Sequence, residues 1–306
     1  MALSYRLRAD GYLLLATVAW GMTFPLIKEG MQFVSPSIFV TLRFIFASLI
    51  LFPFLYSALM KCDRKTLLFG TLLGGINTCI YITQATGMET IHPAEGAFIT
   101  GINVIFVPLL LPLFKIGKPQ LKDFLCSLIC LLGIFVLTDA SAGITHLKDG
   151  VFWVAGSAFF VALSILFLQK FSQSTKHIDS LAFFQVLTTV ALIAPWTLYT
   201  SDAKSYHAAL HLTPILAISF CAIFATSFAL LIQTRYQRLT SPSRAALIFA
   251  LEPVFATVFS YFINGDSISW RILLGGGLIL SSIVASEFWP KKHHPSKRSA
   301  PEGKVN

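Results

Sequence analysis

Two ionisable side chains stand inside long apolar runs: Arg43 within 36–57 and Glu252 within 242–263. At 1.5 Å per residue, Arg43 lies about 10 Å beyond Pro36 and Glu252 about 12 Å into its run. A charge that deep in hydrocarbon costs several kcal/mol unless it is paired or wet. There a guanidinium and a carboxylate can hold the charged ends of a polar solute, pass a coupling proton, or pair with each other. The structural alternatives are a snorkelling arginine and a glutamate that caps or packs beside Pro253. Asn77, Asn103 and Thr23 add hydrogen-bonding groups, as do Gln84, Gln185 and Thr100. Trp20 and Tyr81 offer ring faces on which a cation can stack. The amides serve equally as bonds between helices, and the rings as packing or lipid contacts. A pocket for an amphipathic molecule combines apolar walls with a few fixed polar groups. The candidate binding set is therefore Trp20, Thr23, Arg43, Asn77, Tyr81, Asn103 and Glu252.

Three prolines in the same runs are candidate kinks or hinges. Pro25, Pro108 and Pro253 each deprive the carbonyl four residues earlier (Gly21, Val104 and Phe249) of its helical donor. Within a membrane such carbonyls are tolerated only where protein or water satisfies them, and such helices often border a cavity.

Other chemistry is missing. There is no Walker A sequence, since Gly117-Lys118 is followed by proline, and neither HExxH nor GxSxG occurs. His207 and His211 have helical metal spacing but no partner acid in the motif, so no metal site is expected. Cys79, Cys126, Cys130 and Cys221 lie in apolar runs and Cys62 in a basic loop, which predicts neither disulfide nor zinc. No cofactor is implied, and an enzyme is not expected.

The elements that hold these residues are set by composition. The chain has 306 residues, 55% hydrophobic and 12% charged, with 28 Phe and a mean hydropathy of +0.73. Such a chain has too little polar surface for a soluble domain and reads as integral to a membrane. Ten apolar runs follow: 11–28, 36–57, 66–88, 94–114, 121–138, 150–169, 180–199, 212–233, 242–263 and 269–288. The first, behind Arg6 and Arg8, resembles a signal peptide, but Trp20, Pro25 and Lys28 stand where a cleavage site would need small residues. Counted by alternate loops, 18 Lys and Arg fall on one side and 4 on the other, with Arg43 inside a span. The positive-inside rule then places both termini in the cytoplasm of a cell (inner) membrane protein. That distribution accounts for the net charge of +9 without a nucleic-acid partner.

The chain also repeats itself. At an offset of 149, His92-Pro93 matches Ser241-Pro242, Ala97 matches Ala246, Ile99 matches Ile248 and Phe106 matches Phe255. That register sets Asn103 against Glu252, and outer Glu95 against inner Arg244. At an offset of 139, Gly11, Ala16 and Ala19 match Gly150, Ala155 and Ala158, so the second half carries about ten extra residues, assigned to the loop Thr200–His211. Five spans per half make the halves enter the membrane in opposite senses, an arrangement recurrent in secondary transporters. The small-residue motifs Gly70–Gly74 and Gly275-Gly276-Gly277 predict close helix contacts, within the chain or in a homodimer.

Several of these residues carry a resemblance. Trp20-Gly21-Met22-Thr23-Phe24-Pro25, Arg43-Phe44, and Ser241-Pro242-Ser243-Arg244-Ala245-Ala246-Leu247-Ile248 running on to Leu251-Glu252-Pro253-Val254-Phe255-Ala256 resemble the EamA-like branch of the drug/metabolite transporter superfamily, over about residues 10–288. The resemblance implies a ten-helix carrier, often an exporter of amino acids or other small metabolites, in some members an uptake carrier for S-adenosylmethionine or nucleotide-like compounds. The expectation is an all-α polytopic membrane protein of ten transmembrane helices in two inverted five-helix repeats, 1–145 and 146–289, with a basic cytoplasmic tail at 290–306. Its partners would be a small-molecule substrate, the lipid bilayer and a possible coupling proton. Alternating access about a midplane site is the expected mechanism, with Glu252, Asn103, Arg43 and Trp20 foremost; a channel and a membrane-embedded enzyme are the rival classes.

Overall fold

A computed structural model describes residues 2–138, 149–201, 203–265 and 270–288. The proposed half boundary at 145/146 and the basic tail 290–306 lie outside the described residues. Among these residues every regular element is helical. In order they are α1 (Ala2–Gly30), α2 (Pro36–Leu59), α3 (Arg64–Met88), α4 (Pro93–Gly101), α5 (Asn103–Phe114), α6 (Leu121–Thr138), α7 (Asp149–Ser172), α8 (Ile178–Thr200) and α9 (Ala203–Ala208). They continue as α10 (Leu212–Phe220), a π-helical turn (Cys221–Phe228), α11 (Ala229–Tyr236), α12 (Pro242–Phe249), α13 (Glu252–Asn264) and α14 (Trp270–Phe288).

Among the described residues each apolar run is helical, apart from short breaks in the fourth and ninth. Eight described segments are long and apolar enough to cross a membrane; the fifth run is α6, and in the tenth a shorter apolar stretch covers Leu273–Ser286. Lipid offers no hydrogen bonds, so a spanning backbone must satisfy itself, and helices do. Side chains are sorted to match. Phe54 (78% exposed) and Leu113 (75%) point outward, whereas Arg43, Asn77, Gln185 and Gln237 are buried. The chain is thus an all-helical, multi-pass membrane protein.

Packing crosses between the halves. The first span packs on the ninth (α12–α13) and the eighth (α10–α11 with the π turn), and the second on the seventh (α8) and eighth. The sixth span (α7) packs on the fourth (α4–α5) and third, the seventh also on the third, and the fifth on the tenth. Exchanging span n with span n+5 turns this set of neighbours into itself. Missing Cβ atoms make the closest of these approaches possible. A Cβ at Gly70 would lie 2.4 Å from Phe184 Cβ, one at Gly74 2.7 Å from Gln185 O, and one at Gly133 2.7 Å from Gly275 O. The Gly70–Gly74 motif is therefore covered by the chain's own α8.

Two spans break at equivalent places. In the fourth, Ile102 separates α4 from α5, its amide bonding Ile99 O at 3.2 Å; in the ninth, Ala250-Leu251 separate α12 from α13, with Leu251 N on Ile248 O at 3.1 Å. The 149-residue offset carries Asn103, the first residue of α5, onto Glu252, the first of α13. Pro253 does not kink a helix here. It occupies the first turn of α13, where its missing N–H would have had no helical acceptor. Pro25 lies within the unbroken α1, and Pro108 lies inside α5, away from the break. The carbonyl that Pro108 frees, Val104 O, accepts the Ser127 hydroxyl at 2.9 Å.

Polar ties fix the span ends. Asp63 caps α3: its carboxylate accepts from Thr66 N at 3.0 Å and from the Thr66 hydroxyl, and these bonds hold its pKa below the usual aspartate range. Lys28 Nζ donates to Met88 O, Glu89 O and Ile91 O at 3.0–3.2 Å, and Gln169 Nε2 to Thr240 O at 3.3 Å. Ile91 and Thr240 stand 149 residues apart, so the two ties are equivalents. Arg244 reaches Asp10 Oδ2 through Nε at 3.0 Å and Nη2 at 2.7 Å, and Ser286 Oγ through Nη1 at 3.0 Å, joining the first, ninth and tenth spans.

Candidate functional site

The interior of the bundle encloses a cavity of about 60 Å³ lined by residues of the first, second, third, fourth, sixth, eighth and ninth spans. That is room for a few waters. Six of the seven expected binding residues line it: Trp20, Thr23, Arg43, Asn77, Tyr81 and Glu252. Asn103 does not. It is 2% exposed, its Nδ2 donates to Thr100 O at 2.7 Å within the break, and its Oδ1 has no partner among the described residues.

Arg43 is the most constrained of the group. It is 1% exposed, so it does not snorkel. Its Nε donates to Thr226 Oγ1 at 2.6 Å and its Nη2 to Ala225 O at 3.5 Å. The guanidinium carbon sits 4.5 Å from the centre of the Tyr81 ring and 5.8 Å from that of Phe44. Such a cation–π contact stabilises by about 0.5–2 kcal/mol, more when dry. No ion pair joins Arg43 to Glu252 among the described residues, so the mutual pairing that the sequence allowed is not formed. The Nη1 amino group makes no hydrogen bond among the described residues, and Arg43 lines the cavity.

Glu252 lines the same cavity. It is the first residue of α13, whose next amides are already used: Pro253 has no N–H, and Val254 N and Phe255 N bond Leu251 O at 3.0 and 3.2 Å. Close access to this break depends on Gly21: a Cβ there would lie 2.5 Å from Phe255 Cβ and 3.1 Å from Glu252 O. Trp20, one residue earlier, donates Nε1–H to Ala225 O at 2.8 Å and meets Phe249 edge-on at 5.1 Å. Thr23 Oγ1 bonds Trp20 O at 2.7 Å.

Asn77 belongs to a buried chain of amides and hydroxyls. Ser164 Oγ donates to Asn77 Oδ1 at 3.5 Å, Asn77 Nδ2 to Gln185 Oε1 at 3.2 Å, and Gln185 Nε2 to Thr234 Oγ1 at 3.4 Å. This chain links the third, sixth, seventh and eighth spans, so Gln185 holds Asn77 without lining the cavity itself.

Sequence reasoning did not single out Gln233, Ser164, Ala225 or Thr226. The repeat was the available signal. Positions 149 apart line the cavity together: Gln84 with Gln233, Tyr81 with Leu230, and Thr100 with Phe249. The same step takes Asn77 to Thr226. In the first and sixth spans the lining pairs Trp20 with Val161 and Thr23 with Ser164 stand 141 apart, two residues from the offset read off the small residues.

Comparison with known proteins agrees with this architecture. The family described as "EamA-like transporter family" matches twice, over residues 7–139 and 148–286. An uncharacterized transporter of Archaeoglobus fulgidus is 29% identical over 279 residues, covering 91% of this chain and 85% of its own. A Salmonella typhimurium protein named a probable amino-acid metabolite efflux pump is 25% identical over 292 residues, covering 92% and 95%. A solved crystal structure superposes with a TM-score of 0.74 at 16% identity, covering 91% of this chain and 96% of that one, a likeness of fold.

Proposed function

Because the chain belongs to the EamA-like transporter family, we propose that it moves a small zwitterionic metabolite, an amino acid or a close relative, across the cytoplasmic membrane by alternating access. The observation that carries this reading is the pairing of opposite charges without mutual contact: a buried Arg43 with an open Nη1 and a Glu252 at a helix start border one cavity. A carboxylate would meet the Arg43 fork, where charge-assisted bonds are strongest. An ammonium group would meet Glu252, and the walls from Trp20, Tyr81 and Phe249 would take the apolar remainder. The name of the Salmonella relative supports the same class. S-adenosylmethionine carries the same amino-acid end and is the second reading.

At about 60 Å³ the cavity is too tight for an amino acid, so the walls must part to load it. Rocking of repeat 1–145 against repeat 146–289, inverted across ten spans, with both termini and the basic tail 290–306 cytoplasmic, would open it to each side in turn. Glu252 can also carry a coupling proton when no ammonium group occupies the site.

The test is counterflow in proteoliposomes, with the twenty L-amino acids, their methyl esters and S-adenosylmethionine as solutes. Preloaded unlabelled solute is expected to accelerate labelled uptake, and the methyl ester to lose most of that effect. Glu252→Gln is expected to cut transport at least tenfold while the protein remains folded. Equal loss of folded protein would make Glu252 structural. Uptake that preloading does not accelerate would indicate a channel, and turnover without vectorial movement an enzyme.

A further inference from the structure

The eighth span contains the one described π-helical stretch, and it lies beside the site. Within Cys221–Phe228 the hydrogen-bond register slips, and the slip is visible at its end: the Ala229 amide bonds Phe224 O and Thr226 O rather than Ala225 O, its usual α-helical acceptor. Ala225 O is thereby without its usual α-helical donor, the Ala229 amide. Two site residues from different spans use it, Trp20 through Nε1 at 2.8 Å and Arg43 through Nη2 at 3.5 Å. The next residue, Thr226, is fully buried and accepts Arg43 Nε at 2.6 Å. A regular α-helix would give the Ala225 carbonyl back to Ala229. π turns of this kind appear mostly as single interruptions at functional positions.

We propose that this turn is the positioning element of the site, with Thr226 its decisive side chain. Thr226 Oγ1 and Ala225 O form a rigid pair of acceptors. They bind the inner edge of the Arg43 fork and so direct Nη1 to the cavity. The same carbonyl holds the Trp20 indole edge-on to Phe249. Thr226 touches no solute; it acts through Arg43. The inference rests on the reading of Arg43 as the carboxylate-binding group.

Energetics favour a positioning role over simple stability. A buried guanidinium without a carboxylate partner is costly, and the acceptors it does have decide where it points. Loss of the Thr226 oxygen leaves Nε unpaired, so the fork can lower its energy by turning toward other acceptors. Solute affinity should fall first, and the rate at saturation should remain.

The experiment uses full-length protein in proteoliposomes. The probe is whichever of the twenty L-amino acids gives the largest rise in melting temperature with the wild type. Thr226→Val keeps the shape and removes the oxygen. It should raise the apparent KM about tenfold while the maximal rate stays within about twofold and the ligand-free melting temperature changes little. Thr226→Ser restores the oxygen and should restore KM. Arg43→Gln should abolish the probe's melting shift. A wild type silent to all twenty amino acids, or an Arg43→Gln protein that responds as the wild type does, overturns the site reading and this inference with it. If Arg43→Gln loses the response while Thr226→Val keeps the wild-type KM, the site reading stands and the positioning role of Thr226 fails. That role fails equally if Thr226→Ser is no better than Thr226→Val.

Discussion

The bond from Ser127 to Val104 O shows how one residue repairs another. Pro108 removes the donor that Val104 O would have had, and a hydroxyl from the fifth span supplies one across the helix pair. Ser127→Ala should therefore destabilise the protein by about 1 kcal/mol. Pro108→Ala returns the backbone donor, so the double variant Ser127→Ala/Pro108→Ala should recover much of that loss; additive losses in thermal unfolding would refute the link. At this scale the sequence is informative about which residues matter and less so about what they touch. Arg43 and Glu252 stand out because charge in an apolar run is costly, and both border the cavity. The partners of Arg43 are not legible, because Ala225 O is a backbone atom beside a register slip that no side chain in 212–233 announces. Alignment with Glu252 puts Asn103 in the site, yet a shorter amide beside the break turns back onto Thr100 O.

Broken helices and missing Cβ atoms dominate at the scale of elements. Helix existence is readable from apolar length, and the break in the ninth span is marked by Glu252-Pro253. The break in the fourth has no proline at its own start and can be found only through the repeat. Gly21 lets the first span approach the ninth. Gly21→Ala should lower the melting temperature, by about 1–3 kcal/mol of overpacking against the backbone of α13, offset in part by the better helix propensity of alanine. Gly11→Ala, with open space around it, should be neutral or stabilising by the same thermal assay. In the loop before the third span, Asp63 caps α3 with a carboxyl whose pKa is depressed by its bonds to Thr66. A depressed pKa contributes stability above the usual aspartate pKa and loses it as pH falls through the folded value. Asp63→Ala should accordingly be less stable than the wild type at neutral pH, with the difference closing in strong acid, as followed by melting temperature.

For the whole molecule, the uneven distribution of basic residues and the doubled sequence both point to two halves threaded oppositely. In a cysteine-free background, Ser4→Cys and Ser299→Cys should react with an impermeant maleimide only after permeabilisation, and Ser205→Cys in intact cells; termini that label from opposite faces would defeat the topology. The halves are equivalent in which spans they touch, but not in every helix. The eighth span carries the π turn, whereas its counterpart, the third, runs unbroken from Arg64 to Met88. A carrier that reverses by letting each repeat adopt the other's shape must also hand over this irregularity. Captured facing the other way, the protein should have a straightened eighth span and a loosened third one around Asn77, the residue 149 positions before Thr226.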